Sequence, residues 1–132
     1  MSNESVILPD LQFSVLCDNV IQDEQGKFSF IALFETIVAQ SFPCTHSVLY
    51  VVNRWCNGYG NFTQQSRIIA PDNDTVLAED KLVEFVLKNI EHRHTVVAKF
   101  NNLIFQSQGK YWLEVMLNNN PAIRYPLHLV KK

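Results

Sequence analysis

The chain has 132 residues and a formal net charge of −2, so no excess of positive charge attracts nucleic acid or an anionic membrane. Hydrophobic residues make up 47% of it and charged residues 18%, a balance that excludes a disordered chain and is sufficient for the core of one domain. We therefore expect a single globular domain over residues 1–132, with no nucleic-acid and no membrane partner.

The first residues contain no basic start and no long apolar run, so the sequence predicts neither a signal peptide nor a membrane anchor. Three cysteines, Cys17, Cys44 and Cys56, form no C-x-x-C pair and stand among apolar or aromatic residues. Such cysteines are typical of buried free thiols in a reducing compartment. We expect a cytoplasmic protein.

Apolar and polar residues alternate with a period of two along most of the chain, which indicates β-strands. Residues 11–17 form the first such run, with apolar side chains on one face. The stretch 28–38 has apolar residues on both faces and is expected to form one central strand. The run 47–55 has the same pattern with a single charge, Arg54, so it must be central or covered.

The second half of the chain continues with runs at 62–70, 110–118 and 123–129. Pro126 has no N–H for a ladder, so the last run is expected at a sheet edge or on a bulge. The segment 78–90 fits a helix face and a strand face equally well, and both alternatives stay open. We favour a strand there, because the neighbouring runs need a sheet partner.

These short runs, joined by hairpin-length turns and without a βαβ rhythm, predict an all-β fold. The expected architecture is a two-layer antiparallel β-sandwich of about eight strands. Along the run 110–118, Tyr111 is expected to point into the core. Trp112 and Met116 lie on the opposite face of that strand. They form either a second exposed apolar patch or a surface buried against another sheet, and we favour burial.

Residues 109–115, GKYWLEV, resemble the G-x-Y-x-x-x-V strand of many immunoglobulin-like sandwiches, in which the Tyr hydroxyl bonds to nearby backbone. With four further segments, nearly the whole chain resembles a family of short bacterial proteins of unknown function: 10–13, 34–37, 41–43 and 125–127. The resemblance implies an immunoglobulin-like sandwich and implies no activity.

The candidate ligand- or partner-binding residues lie in one Gly-rich segment, RWCNGYGNF: Arg54, Trp55, Asn57, Tyr59 and Asn61. Such a loop can present aromatic rings as rigid anchors to a protein, or as a platform for a sugar ring with Asn side chains as hydrogen-bonding groups. In the alternative interpretation, Trp55 and Phe62 cap the hydrophobic core and Tyr59 closes the turn.

His92 and His94 are two residues apart on an expected strand, where two imidazoles on one face can ligate zinc or iron. No third ligand stands at motif spacing, so the alternative is two polar residues at the start of a strand. The four glycines form neither a nucleotide-binding fingerprint nor a phosphate-binding loop, and no G-x-S-x-G motif is present. We expect no catalytic residue, no bound metal and no cofactor.

These observations favour a non-catalytic binding or assembly module, whose partner is another protein or a second copy of the chain. Two alternatives stay open: a small-molecule or carbohydrate binder that uses the Trp55 to Phe62 loop, and a metal-dependent enzyme built on His92 and His94. Should the run 47–55 lie at a sheet edge, a second subunit would cover it, so we expect a homodimer or larger assembly.

Overall fold

A computed structural model describes residues 5–132, and none of them lies in a helix. Consequently no described segment is a helix of the length and apolar character that a bilayer crossing requires. Ten strands follow in chain order: β1 (Asp10–Gln22), β2 (Phe28–Leu33), β3 (Thr36–Ala39), β4 (Cys44–Cys56), β5 (Gly60–Ile69), β6 (Val76–Glu79), β7 (Val83–Leu87), β8 (His94–Phe105), β9 (Gly109–Leu117) and β10 (Asn120–Lys131).

The all-β prediction is confirmed, with ten strands in place of about eight. The difference arises because two predicted runs each divide into two strands. The stretch 28–38 becomes β2 and β3. The segment 78–90 contains only the end of β6, which begins at Val76, and the whole of β7, so the strand alternative for that segment is confirmed and the helix is excluded.

The strands form two open sheets in a sandwich-like arrangement. The first sheet has the order β2-β1-β4-β8; the second has the order β3-β10-β9-β5, and both β6 and β7 pair with β5. The predicted antiparallel pairing is wrong for one pair, since β3 runs parallel to β10. β4 lies between β1 and β8, which confirms the central position expected for the run 47–55.

The chain crosses from the first sheet to the second directly after β2. The N–H of Phe34 donates to the carbonyl oxygen of Leu16 in β1 at 3.0 Å, whereas the carbonyl oxygen of Glu35 accepts the N–H of His128 in β10 at 3.0 Å. The change of sheet therefore occurs between two neighbouring residues. Just before it, Ala32 has a left-handed backbone with a φ of 57°.

The prediction of one central strand over residues 28–38 was therefore wrong. β2 ends the first sheet and β3 ends the second, so within residues 5–132 each strand has a neighbour on one side only. The apolar residues on both faces have another cause, because the two parts of the stretch pack in different places. Phe30 contacts Phe13 of β1, while Ile37 belongs to the core between the sheets.

Two predictions for the C-terminal strands also need correction. β10 lies between β3 and β9, so it is not an edge strand as a whole. Its pairing with β3 begins only at His128, however, so Pro126 lies where β9 is the one paired neighbour. Trp112 and Met116 lie on the outer face of the second sheet and not between the sheets, because they alternate with the inward-pointing Tyr111.

Two apolar clusters fill the space between the sheets, and a polar layer separates them. Along β4, Asn53 stands between Val51 of the larger cluster and Trp55 of the smaller one. The Asn53 amide donates to Gln64 Oε1 and to Ser66 Oγ, both at 2.9 Å. These three polar side chains are almost completely buried, and their hydrogen bonds to one another replace part of those that they lose to water. Asn53 Oδ1 and Gln64 Nε2 are buried without a hydrogen-bond partner.

Candidate functional site

The residues proposed from the segment 54–62 do not form one surface. Trp55 is 1% exposed and belongs to the smaller apolar cluster. Arg54 points to the opposite face of the sheet, because adjacent residues of a strand alternate. There its Nε donates to Thr95 Oγ1 at 2.9 Å, and its guanidinium carbon lies 5.4 Å from the centroid of the Phe13 ring.

Asn57, Tyr59 and Asn61 lie where β4 turns into β5. Asn57 has a left-handed backbone, with a φ of 57°, and its Nδ2 donates to Asp10 Oδ2 at 3.1 Å. Tyr59 and Ile7 exchange two backbone hydrogen bonds, each of 2.9 Å. These are the contacts of a closed turn, and they favour the interpretation in which the segment caps the core.

Asn57 and His92 line a common groove, so the structure brings together one residue from each candidate set. The groove has a volume of about 330 Å³, and the rest of its lining is Cys56 and the turn 90–93. A sugar platform needs an aromatic ring at the surface, and Trp55 lies in the core instead. The groove therefore offers polar groups without a Trp or Tyr ring for stacking.

The two histidines have different surroundings. His92 is exposed in the turn before β8, where its backbone N–H donates to the carbonyl oxygen of Asn89 at 2.9 Å. The His94 ring stacks on the ring of Phe85, with 5.1 Å between centroids and 8° between planes. Among residues 5–132, no three or more His, Cys, Asp and Glu side chains form a group that could hold a metal ion.

Burial lowers the pKa of His94, so the folded chain binds a proton there less readily than the unfolded chain does. The stability contributed by neutral His94 is fully present above its unfolded pKa of about 6.5 and is lost as the pH falls toward the folded pKa. In chemical denaturation between about pH 7 and 5, His94→Gln is expected to show a weaker pH dependence than the parent. His92→Gln, at an exposed position, is the control, and equal pH dependence in both variants would contradict this assignment.

A buried carboxylate on the outer face of the second sheet was not found from the sequence. Glu114 of β9 is 3% exposed, and each of its oxygens accepts hydrogen bonds from one arginine. Arg67 Nε donates to Oε1 at 3.0 Å, and Arg124 Nη2 donates to Oε2 at 2.8 Å. Burial by itself raises the pKa of Glu114, but the hydrogen bonds and charges of the two guanidiniums outweigh it and hold the pKa below its ordinary value. The cluster thus ties β5, β9 and β10 together.

The hairpin of β1 and β2 bends back over the outer face of the first sheet. Phe30 pairs with Val20, seven residues along β1 from Phe13, which corresponds to about 23 Å in a straight strand. The centroids of the Phe13 and Phe30 rings are nevertheless 5.8 Å apart, so β1 must bend between them. Phe28 stacks on Phe30 at 6.1 Å. These half-buried rings anchor β2 to its own chain.

The outer edge of β2 is unpaired and apolar. β2 is the last strand of the first sheet, so in the described part of the chain no strand pairs with this edge. Ile31 and Leu33 are 44% and 57% exposed. β2 contains no charged residue and no proline, which are the residues that soluble monomers use to block such an edge. The nearest exposed charged residues flank the strand: Lys27 immediately precedes β2, and Glu35 follows its last residue by two positions.

A cavity of about 240 Å³ lies where β2 ends, lined by three residues of β1, Leu33 of β2, Tyr125 of β10 and the crossover. Leu33 and Phe34 supply apolar wall, and the hydroxyl groups of Ser14 and Tyr125 are hydrogen-bonded to each other at 2.6 Å. Burial raises the pKa of Tyr125 to about 12, so its hydroxyl stays protonated at neutral pH.

A family model described as a family of unknown function (DUF6941) matches residues 12–130 of the chain. The match begins within β1 and ends within β10, so it spans both sheets. No curated protein matches the chain in sequence.

Proposed function

The chain belongs to the DUF6941 family, and we propose that it is a non-catalytic assembly module that binds a protein strand at the free edge of β2. The observation that carries this proposal is the edge itself, which is exposed, apolar and unblocked. Strand addition gives affinity through backbone hydrogen bonds and specificity through side-chain pockets. A second copy of the chain is the partner to be tested first.

We also propose that the sandwich is immunoglobulin-like and that the protein acts in the cytoplasm. The Tyr111 hydroxyl donates to the carbonyl oxygen of Ser107 at 2.8 Å, a local contact that recurs in immunoglobulin-like sandwiches and supports the first proposal. Cys17 supports the second, because it is a free and buried thiol whose pKa is raised by that burial. Such an unreactive thiol suits a reducing compartment.

The small-molecule and metal alternatives have less geometric support. The Trp55 to Phe62 loop would need its rings at the surface, and both of these rings are packed in the smaller apolar cluster. His94 faces Phe85 and lies away from the exposed position of His92. Neither alternative gains a specific observation of its own, so the edge of β2 remains the basis of the proposal.

Ile31→Lys is expected to convert an assembled protein into a monomer in sedimentation experiments at micromolar concentration. The added lysine places a charge on the apolar edge, where it opposes strand addition. The control is Ile123→Lys on β10, since Ile123 is 42% exposed against 44% for Ile31, and it should sediment like the parent. A parent that stays at 15.2 kDa at every concentration, or a control that dissociates as fully as Ile31→Lys, would contradict the proposal.

A further inference from the structure

We infer that β2 pairs with β2 of a second copy, antiparallel and centred on Ile31. This inference rests on the proposed function and adds the identity of the partner and the register of the contact. Lys27 precedes β2 and Glu35 follows it, at equal distances in sequence from Ile31. A two-fold axis at Ile31 therefore brings Lys27 of each copy to the same end of the paired strands as Glu35 of the other, where Glu35 follows the last residue of β2 by two positions. The edge is complementary to itself in charge.

The exposure of the segment alternates except at Ala32, an even-numbered residue that is exposed as well. Every odd-numbered residue from Lys27 to Glu35 is exposed, whereas the phenylalanines at even positions are half-buried. Pairing about an odd-numbered residue matches odd with odd, so the exposed side chains of the two copies meet on one face. Ile31 then contacts its counterpart, Ser29 faces Leu33, and the phenylalanine rings remain packed on their own chain.

Neighbouring registers lack this complementarity. An axis at Ser29 puts Lys27 opposite Ile31, and an axis at Leu33 puts Glu35 opposite Ile31, so in both cases a charge loses water against an apolar side chain. An axis at Phe30 puts Lys27 opposite Leu33, and an axis at Ala32 puts Glu35 opposite Ser29. An axis between two residues matches odd-numbered positions with even-numbered ones, so exposed side chains would meet half-buried ones. The register centred on Ile31 is the one that gives each charge an opposite charge as its neighbour.

β2 stays paired with β1 over its length, and the charges that flank it are available. Ile31 pairs with Asn19 and Leu33 pairs with Cys17, so the ladder with β1 continues on both sides of the left-handed backbone at Ala32. Within residues 5–132, neither Lys27 nor Glu35 forms an ion pair. A second copy would therefore join the first sheets of two chains into one continuous sheet and give both charges a partner.

Charge reversal tests the register. In a homodimer, Lys27→Glu sets glutamate against Glu35 twice, and Glu35→Lys sets lysine against Lys27 twice. Each variant alone is expected to dimerise roughly tenfold or more weakly than the parent, because two contacts change from attraction to repulsion. An equal mixture of the two variants restores both opposite-charge contacts. Sedimentation of the mixture, with one variant labelled by a fluorophore, should recover a species of twice the 15.2 kDa of one chain.

The control for net charge is Lys88→Glu, an exposed position outside β2, which should dimerise like the parent. Salt at about 1 M should reduce the differences between variants, because it screens exposed charges. Single variants that dimerise like the parent, or a mixture that stays monomeric, would overturn the register. Ile31→Lys tests the proposed function separately. If this change disrupts the dimer while Lys27→Glu does not, the dimer uses the same edge in another register.

Discussion

Tyr111→Ala is expected to lower the free energy of unfolding by roughly 3–5 kcal/mol. The Tyr111 side chain is 2% exposed and belongs to the larger apolar cluster, where its ring meets the ring of Phe105 edge-on with 5.0 Å between centroids. Truncation leaves a cavity that strands held in two sheets cannot close, so the lost contacts are not replaced. Urea denaturation followed by circular dichroism measures the change.

Tyr111→Phe is the matched variant, and it should cost about 1 kcal/mol. It keeps the ring and removes only the hydroxyl, which donates to the carbonyl oxygen of Ser107 at 2.8 Å. The difference between the two variants therefore separates packing from hydrogen bonding. Small and equal costs would mean that the side chain is at the surface and that the register of β9 is shifted by one residue.

The periodicity of the sequence was sufficient to predict the strands and the sandwich. The runs 11–17, 47–55 and 110–118 correspond to β1, β4 and β9, because a strand with one buried face alternates apolar and polar residues. These inferences need only local information. β4 lies inside a sheet as expected, but the same apolar pattern over 28–38 belongs to two end strands, so this pattern does not by itself determine the position of a strand in its sheet.

The crossover at Phe34 and Glu35 could not be predicted in the same way. An apolar pattern indicates that side chains are buried, but it does not indicate which sheet buries them. Phe30 is packed on the bent arm of β1, and Ile37 is packed between the sheets, yet both contribute to one continuous apolar pattern over 28–38. The identity of Ala32 did not indicate the left-handed backbone just before the crossover, because such a backbone is expected at Gly or Asn rather than at alanine.

Only part of the candidate site could be predicted from the sequence. Alternation alone separates Arg54 from Trp55, because adjacent residues of a strand face opposite sides. The contact of Arg67 and Arg124 with Glu114 could not be predicted from the sequence, since it depends on the register of three strands. The symmetric charges around β2 are visible in the sequence, and they acquire a meaning only once β2 is known to be an edge strand.

Asn53→Asp is expected to destabilise the protein by roughly 3–5 kcal/mol at neutral pH, the usual cost of an unpaired buried charge. Asn53 is 0% exposed, and its Nδ2 donates to Gln64 Oε1 and Ser66 Oγ. Aspartate has nearly the same shape, but its ionised carboxylate cannot donate and would face the Gln64 oxygen. Neither hydrogen-bond partner is a cation, so the carboxylate would be buried without an opposite charge.

The pH dependence of this variant distinguishes charge from packing. Burial raises the pKa of a carboxyl group, so an aspartate at position 53 would bind its proton at a higher pH in the folded chain than in the unfolded chain. The loss in free energy of unfolding relative to the parent is then largest at neutral pH. It becomes smaller as the pH falls through the raised pKa, because protonation restores a donor toward Gln64. Asn101→Asp, at an exposed position on β8, should change the free energy of unfolding by less than about 0.5 kcal/mol at every pH. A deficit for Asn53→Asp that does not change with pH would mean that shape, and not charge, dominates in the polar layer.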